Sequence, residues 1–302
     1  MSTVTDATSG TPFAGSIREL TQIRSRDPGR IKRLLAARRK REVFGLDGQL
    51  MIIACDHPAR GALSAGGKAT AMASRTDLLD RLVTALSRPG VDGLLATADI
   101  AEDLLMLGVL EEKLVFASMN RGGLQGAVFE MDDRNTGYDV QGTIDAGFEG
   151  AKMLLRIDLD DPGTVATMER CGQAISELNR AELIAMVEPF ISSRFGGKVV
   201  NDLSADAVIK SMHISQGLGA SSAYTWMKLP VVHEMERVMD ATTLPTLLLG
   251  GDPDSAPDET YAAWQAALAL PSVCGLVVGR TLLYPADDDV AKAVDTAVSL
   301  VR

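Results

Sequence analysis

The sequence predicts a single (β/α)8 barrel with an N-terminal helical extension. Eight short apolar runs lie between residues 50 and 279, separated by stretches of helical periodicity, the pattern of parallel strands joined by crossover helices. The chain has 302 residues, a suitable length for one such barrel. No Gly-x-Gly-x-x-Gly turn follows the first run, as a dinucleotide-binding open sheet would require.

Residues 1–29 read as a flexible leader, polar and without the apolar core of a signal segment. Residues 30–302 are expected to form the barrel domain, including a basic helix over 30–44 (RIKRLLAARRKREVF). Ile31, Leu34, Leu35 and Val43 suggest one apolar stripe on that helix, and no aromatic side chain interleaves its cations. A solvated helix covering the barrel floor therefore fits it better than a nucleic-acid or membrane patch. The strands are expected at 50–55, 93–97, 114–118, 151–157, 183–188, 224–229, 246–250 and 274–279. Amphipathic helices are expected at 75–86, 162–179, 206–217 and 258–270, with Ser74 and Ser204 as capping signals.

Apolar residues make up 46% of the chain and charged residues 23%, an ordinary globular composition. The net charge of −10 argues against a nucleic-acid partner, because a phosphate backbone needs a basic face. An anionic metabolite would instead need a local cluster of cations. Cys55, Cys171 and Cys274 lie far apart without a CxxC pair, so a reduced cytoplasmic setting is expected. No apolar run is long enough to suggest a membrane span.

In a barrel, chemistry sits where the strands end. Strand one closes in Asp56-His57-Pro58-Ala59-Arg60. Strand four carries Lys152 and Arg156, which alternation puts on one face with Leu154. Strand five closes in Glu188 and strand six in Lys228. A lysine inside an apolar strand requires a reason, since burying an unpaired ammonium is costly. Two such lysines with two carboxylates favour chemistry over a pair of structural salt bridges. Gly250-Gly251 after strand seven and Gly279-Arg280 after strand eight suit a phosphate site, with backbone amides, a helix start and a guanidinium converging.

These motifs together resemble the class I (Schiff-base) aldolase superfamily that includes tagatose-bisphosphate, deoxyribose-phosphate and sulfofructose-phosphate aldolases. The segments that carry the resemblance are ACDHPARGAL, KMLLRIDLDDP, MVEPF, TWMKLP and VVGRTLLYP, within residues 50–284. The resemblance implies that Lys228 forms the imine and Glu188 shuttles protons. It also implies that Lys152 and Asp56 polarise and orient the substrate, and that Arg280 with Gly250, Gly251 and Gly279 holds a phosphate. Two departures bear on the substrate: Lys-Leu-Pro at the Schiff-base strand where Lys-Val-Glu is common, and Gly-Gly-Asp after strand seven where a serine is common.

An amine attacks a ketone only when unprotonated; burial and the neighbouring cation Lys152 would both favour that state of Lys228. Either Glu188 or Asp56 could take the proton of the cleaved hydroxyl. The substrate class is a phosphorylated ketose or keto-sugar acid giving dihydroxyacetone phosphate or a similar product. A ketose bisphosphate and 2-deoxy-5-keto-gluconate 6-phosphate, suggested by likeness to a (β/α)8 group tied to inositol breakdown, both fit. Arg156 or Arg60 could bind a second anion, a carboxylate or another phosphate, and His57 joins the binding set. No cofactor is required. No metal is expected, since His57, His213 and His233 scatter and Asp158, Asp160 and Asp161 suit a helix cap better than a cation site. Cys55 points away from Asp56 by alternation and reads as core packing. A homo-oligomer is expected from the habit of barrel aldolases. The competing readings are a phosphosugar isomerase or epimerase using Glu188 and Asp56, and a non-catalytic ligand-sensing barrel.

Overall fold

A computed structural model describes residues 14–43, 48–120, 123–250 and 257–302. Nine strands follow in chain order: β1 (Leu50–Cys55), β2 (Gly93–Ala96), β3 (Leu114–Ser118), β4 (Gly150–Ile157), β5 (Ile184–Phe195), β6 (Lys198–Asn201), β7 (Thr225–Leu229), β8 (Thr246–Leu249) and β9 (Val273–Val278). All except β6 pair in parallel, and the pairing of β4 with β5 closes them into an eight-stranded barrel. The main helices are α1 (Ala14–Arg26), α2 (Gly29–Ala37), α3 (Arg75–Leu86), α4 (Ala98–Met106), α5 (Val140–Ala146), α6 (Gly163–Arg180), α7 (Ala205–Gln216), α8 (Met235–Asp240), α9 (Pro257–Leu268), α10 (Arg280–Leu283) and α11 (Val290–Val301). The protein is thus the (β/α)8 barrel that the apolar runs predict, with helices ahead of it.

Strand alternation divides the apolar residues into two layers. Ile52, Ala54, Leu95, Phe116, Ile184, Met186, Trp226, Leu247 and Val277 fill the barrel interior. Met51, Ile53, Cys55, Leu94, Val115, Met153 and Val187 point outward against Leu79, Leu82, Leu104, Ile175, Leu178 and Val294 of the helices. The two capping signals are used: Ser74 accepts the amide N–H of Asp77 and Ser204 that of Ala207, each at 3.3 Å.

Three regions differ from expectation. The leader reading covers 1–29, yet from Ala14 the chain is helical, and Leu20 and Ile23 of α1 are buried. The apolar periodicity Ile17-Leu20-Ile23 is a three-residue repeat that a polar average conceals. The basic helix stops at Ala37 rather than reaching residue 44, and Val43 leaves the stripe to plug the barrel interior. Phe44 lies outside the described residues. Strand five runs seven residues past its predicted end and turns back antiparallel into β6. Gly196 and Gly197 form that turn with φ of +57° and +79°, the left-handed pair that a tight hairpin demands.

The floor is sealed by charge. Arg38, just beyond α2, donates to the Lys113 and Gly147 carbonyls at 2.7 and 2.8 Å and pairs with Glu149 at 2.8 Å. Glu149 in turn accepts the Val115 N–H, and Asp92 accepts that of Met51 while pairing with Arg41 and Arg302. The basic segment covers the floor as its composition suggests. No helix among the described residues is long and apolar enough to cross a membrane.

Candidate active site

At the opposite end the interior changes from apolar to charged. Asp56 follows β1 directly, Ser118 closes β3, and Lys152, Glu188 and Lys228 point inward from β4, β5 and β7. Register sets the heights: Ser118 pairs with Lys152, Leu154 with Glu188, and Lys228 lies one residue beyond the pairing of Val187 with Met227. The four ionisable groups form one alternating chain. Lys152 Nζ lies 3.0 Å from Asp56 Oδ2 and 2.6 Å from Glu188 Oε2, and Lys228 Nζ lies 2.9 Å from Glu188 Oε1. All four are buried, between 4% and 8% exposed.

The two lysines are not equivalent. Burial would lower the pKa of Lys152, but Asp56 and Glu188 together hold it above the ordinary lysine value. Lys228 has one carboxylate instead of two. Burial lowers its pKa, Glu188 only partly restores it, and the Lys152 ammonium presses it down again. Burial pushes the Glu188 carboxyl up, yet Lys152 and Lys228 overcome this and bring it down to about 2. Asp56, opposed by burial and held chiefly by Lys152, lies well below the usual carboxylate range. Around neutral pH, then, Lys152 stays an ammonium and Lys228 is the more readily available amine.

A cavity of about 490 Å³ opens above this layer. Lys228 and Glu188 line it, whereas Asp56 and Lys152 stand behind them. His57, Arg60, Arg156, Gly250, Gly279 and Arg280 also line the cavity, so most of the expected binding residues converge on one space. Gly251 lies outside the described residues. His57 is kept neutral: burial takes its pKa down to about 3, more than nearby Asp56 can offset, with Arg280, Lys228 and Arg60 lowering it further. Arg60, Arg156 and Arg280 supply the local cationic cluster that an acidic chain needs for an anionic ligand.

The phosphate loops differ from expectation in two respects. A Cβ at Gly279 would fall 2.5 Å from the Ala54 carbonyl oxygen, and one at Gly250 would fall 2.7 Å from Val278 Cγ1. Close packing alone therefore accounts for both glycines. The helix after β9, α10, has four residues, too few to develop the dipole expected of it. Arg280 is half-buried and donates to the Ser64 carbonyl at 3.3 Å.

Reading the ends of the strands misses three residues. Ser118 donates from Oγ either to Asp56 Oδ2 at 3.3 Å or to the Asn120 carbonyl at 3.1 Å. The Asn120 side-chain amide bonds both the N–H and the C=O of Leu154, at 2.8 and 2.7 Å, where β4 continues beyond its paired segment of β3. Glu130, buried in the loop after β3, pairs with Arg156. Ser118 and Asn120 follow an apolar run and could have been examined; nothing in the sequence joins Glu130 to the site. His213 and His233 are exposed, and unlike His57 neither lines the cavity. Asp158 and Asp161 accept loop amides, and Asp161 also pairs with Arg194.

The sequence model of the Cgl0159-like family matches residues 48–298. The chain belongs to this family. The crystal structure of Cgl0159 from Corynebacterium glutamicum is 58% identical, with a TM-score of 0.92 and coverage of 95% of this chain and 97% of that one. More distant neighbours include a Schiff-base-forming fructose-1,6-bisphosphate aldolase, 18% identical, with a TM-score of 0.63 over 90% of this chain and 100% of that one. An archaeal fructose 1,6-bisphosphate aldolase is 17% identical, with a TM-score of 0.61 over 90% and 98%. At such identities the likeness is one of fold. A comparison with curated proteins finds no match.

Proposed function

We infer that the protein is a class I aldolase that cleaves a phosphorylated ketose or keto-sugar acid through an imine on Lys228. The observation that carries this reading is the asymmetry of the two lysines. One is locked as an ammonium between two carboxylates, and the other, with its pKa depressed, lines the cavity. The shared fold with Schiff-base-forming fructose-bisphosphate aldolases supports it.

The neutral amine of Lys228 adds to the substrate ketone, and the carbonyl oxygen takes a proton to give a carbinolamine. Loss of water leaves an iminium, an electron sink next to the bond to be broken. Glu188 lines the cavity 2.9 Å from Lys228 and takes the proton of the hydroxyl on the far carbon. The C–C electrons move into the iminium, the aldehyde departs, and the enamine is protonated at carbon before water releases the ketone product. Asp56 does not line the cavity and serves to hold Lys152. Arg280, with the backbone around Gly250 and Gly279, receives the phosphoryl group.

The same carboxylates could serve an isomerase, but neither would then require a lysine of lowered pKa against the substrate. Lys228→Ala is expected to abolish release of dihydroxyacetone phosphate from ketose-phosphate and keto-acid-phosphate substrates while the barrel stays folded. Substantial residual turnover in that variant would remove Lys228 from the reaction.

A further inference from the structure

Above Ser118 the barrel wall beside β4 is built from a side chain. Ser118 is the last residue of β3 in register with β4, and the Met119 N–H bonds the Lys152 carbonyl at 3.0 Å. One step higher, a continued parallel strand would accept the Leu154 N–H on the Met119 carbonyl and return an N–H to the Leu154 carbonyl. The Met119 carbonyl is instead taken by the N–H groups of Thr136 and Gly137, at 3.1 and 2.8 Å. Leu154 is served by Asn120, whose Oδ1 accepts its N–H at 2.8 Å and whose Nδ2 donates to its carbonyl at 2.7 Å. Asn120 is 2% exposed and is not among the residues that line the cavity. Only a carboxamide side chain carries the carbonyl acceptor and N–H donor of a peptide group.

The two contacts of Lys152 depend on the backbone in different ways. Lys152 reaches Glu188 at 2.6 Å across the β4–β5 ladder, so pairing of the two strands fixes that distance. Asp56 follows β1, and β1 pairs with β2 and β9, not with β4. The 3.0 Å contact of Lys152 with Asp56 therefore crosses the barrel interior and depends on where β4 stands. Asn120 links the two sides. Its carboxamide holds β4 at Leu154, two residues beyond Lys152, and its main-chain carbonyl lies 3.1 Å from Ser118 Oγ, which is itself 3.3 Å from Asp56 Oδ2.

We propose that Asn120 is a positioning residue of the active site: its carboxamide stands in for a strand peptide beside Leu154 and so holds Lys152 between Asp56 and Glu188. This rests on the aldolase reading and adds to it a residue that acts through β4 without meeting the substrate. Without the carboxamide, the buried N–H and carbonyl of Leu154 lose their partners and this stretch of β4 is held from the β5 side alone. Lys152 then drifts from Asp56, and Glu188, which it shares with Lys228, is no longer held in place for proton transfer. Arg280, on the far wall, keeps its grip on the phosphoryl group, so the loss falls on turnover and not on affinity.

The test follows, by NMR on the intact protein, exchange of the carbon-bound protons of dihydroxyacetone phosphate with deuterium oxide, a reading of enamine formation that needs no aldehyde. Asn179 provides a matched control at the floor. It is also buried, and its carboxamide donates to the Ile175 carbonyl at 2.9 Å and accepts the Tyr224 N–H at 3.0 Å, just ahead of β7. Asn120→Leu is expected to lower the saturated exchange rate per folded molecule by about tenfold to a hundredfold, with half-saturation moving by less than about twofold. Asn179→Leu should lower the urea midpoint and keep the wild-type exchange rate per folded molecule. Asn120→Gln retains donor and acceptor on a stem one methylene longer; it should also slow exchange, and it serves if Asn120→Leu does not fold. Wild-type exchange in the Asn120 variants, or an equal slowing in Asn179→Leu, overturns the positioning role and leaves the aldolase reading intact. A wild-type protein that gives neither exchange nor a borohydride-trapped adduct overturns the aldolase reading, and the role of Asn120 with it.

Discussion

At the floor of the barrel, Asp92 and Glu149 direct their carboxylate oxygens to backbone N–H groups and to Arg38, Arg41 and Arg302. At the mouth, the partners of Asp56 and Glu188 among the described residues are side chains, chiefly Lys152 and Lys228, and a cavity opens above them. Both ends bury ions at comparable depth, so burial of charge does not by itself mark a catalytic centre. What differs is the kind of partner. Floor charges bond to fixed backbone groups that close the ends of strands. Mouth charges bond to one another, so that moving one proton changes all four. Among the described residues the floor has one buried side-chain nitrogen without a hydrogen-bond partner, Arg38 Nε, where the guanidinium lies over the Phe148 ring. The mouth has three such nitrogens, on His57, Arg60 and Arg156, all residues that line the cavity.

Charge removal at the two ends should therefore have different consequences. The largest effect is expected from Glu188→Gln, which removes the proton shuttle and should lower kcat by about 10²–10⁴-fold. At neutral pH it should also lose the stability that the ionised carboxylate contributes, a loss eased because Lys228 can become neutral and Lys152 keeps Asp56. Asp92→Ala should spare turnover. It leaves the buried Met51 N–H without its acceptor, while Arg41 and Arg302 stay partly solvated, and should cost about 1–3 kcal/mol in denaturant unfolding while kcat per folded molecule is maintained. If Asp92→Ala damages turnover as severely as Glu188→Gln, the division between the ends fails.

A subtler effect follows from the coupling of the lysines. Lys152 as an ammonium depresses the pKa of Lys228. Lys152→Met removes that repulsion, so the Lys228 pKa should rise and the acidic limb of the kcat/KM profile should move to higher pH. A limb that stays in place would separate the two lysines electrostatically. The smallest effect concerns stability in acid. The Glu188 carboxyl lies at about 2 in the folded protein against 4.5 ordinarily. A depressed carboxylate contributes stability that is complete above its unfolded value and is lost as pH falls toward its folded value. Wild type should accordingly lose more stability than Glu188→Gln between about pH 5 and about pH 3, read from urea midpoints.

Much of this was legible in the chain. The alternation of Ile52, Ala54 and Asp56, or of Lys152, Leu154 and Arg156, is a local property of a strand, and it correctly brings these residues to one face. A charged residue within an apolar run is conspicuous for the same reason. The hairpin after β5 went unread, because Gly196-Gly197 alone marks a turn and the short strands on either side follow no sustained apolar alternation. Glu130 was not legible, because its position depends on a loop returning over the barrel mouth to reach an arginine 26 residues further on. The packing of α1 likewise depends on distant contacts, among them Arg24 with Glu102 and Asp103.

On the reading proposed above, Lys228, and not Lys152, carries the imine. Intact-mass measurement after sodium borohydride reduction with dihydroxyacetone phosphate, followed by peptide mapping, tests it most directly. One reduced adduct is expected on the wild-type chain, located at Lys228 and absent from Lys228→Ala. An adduct mapped to Lys152, or one that persists in Lys228→Ala, would contradict it.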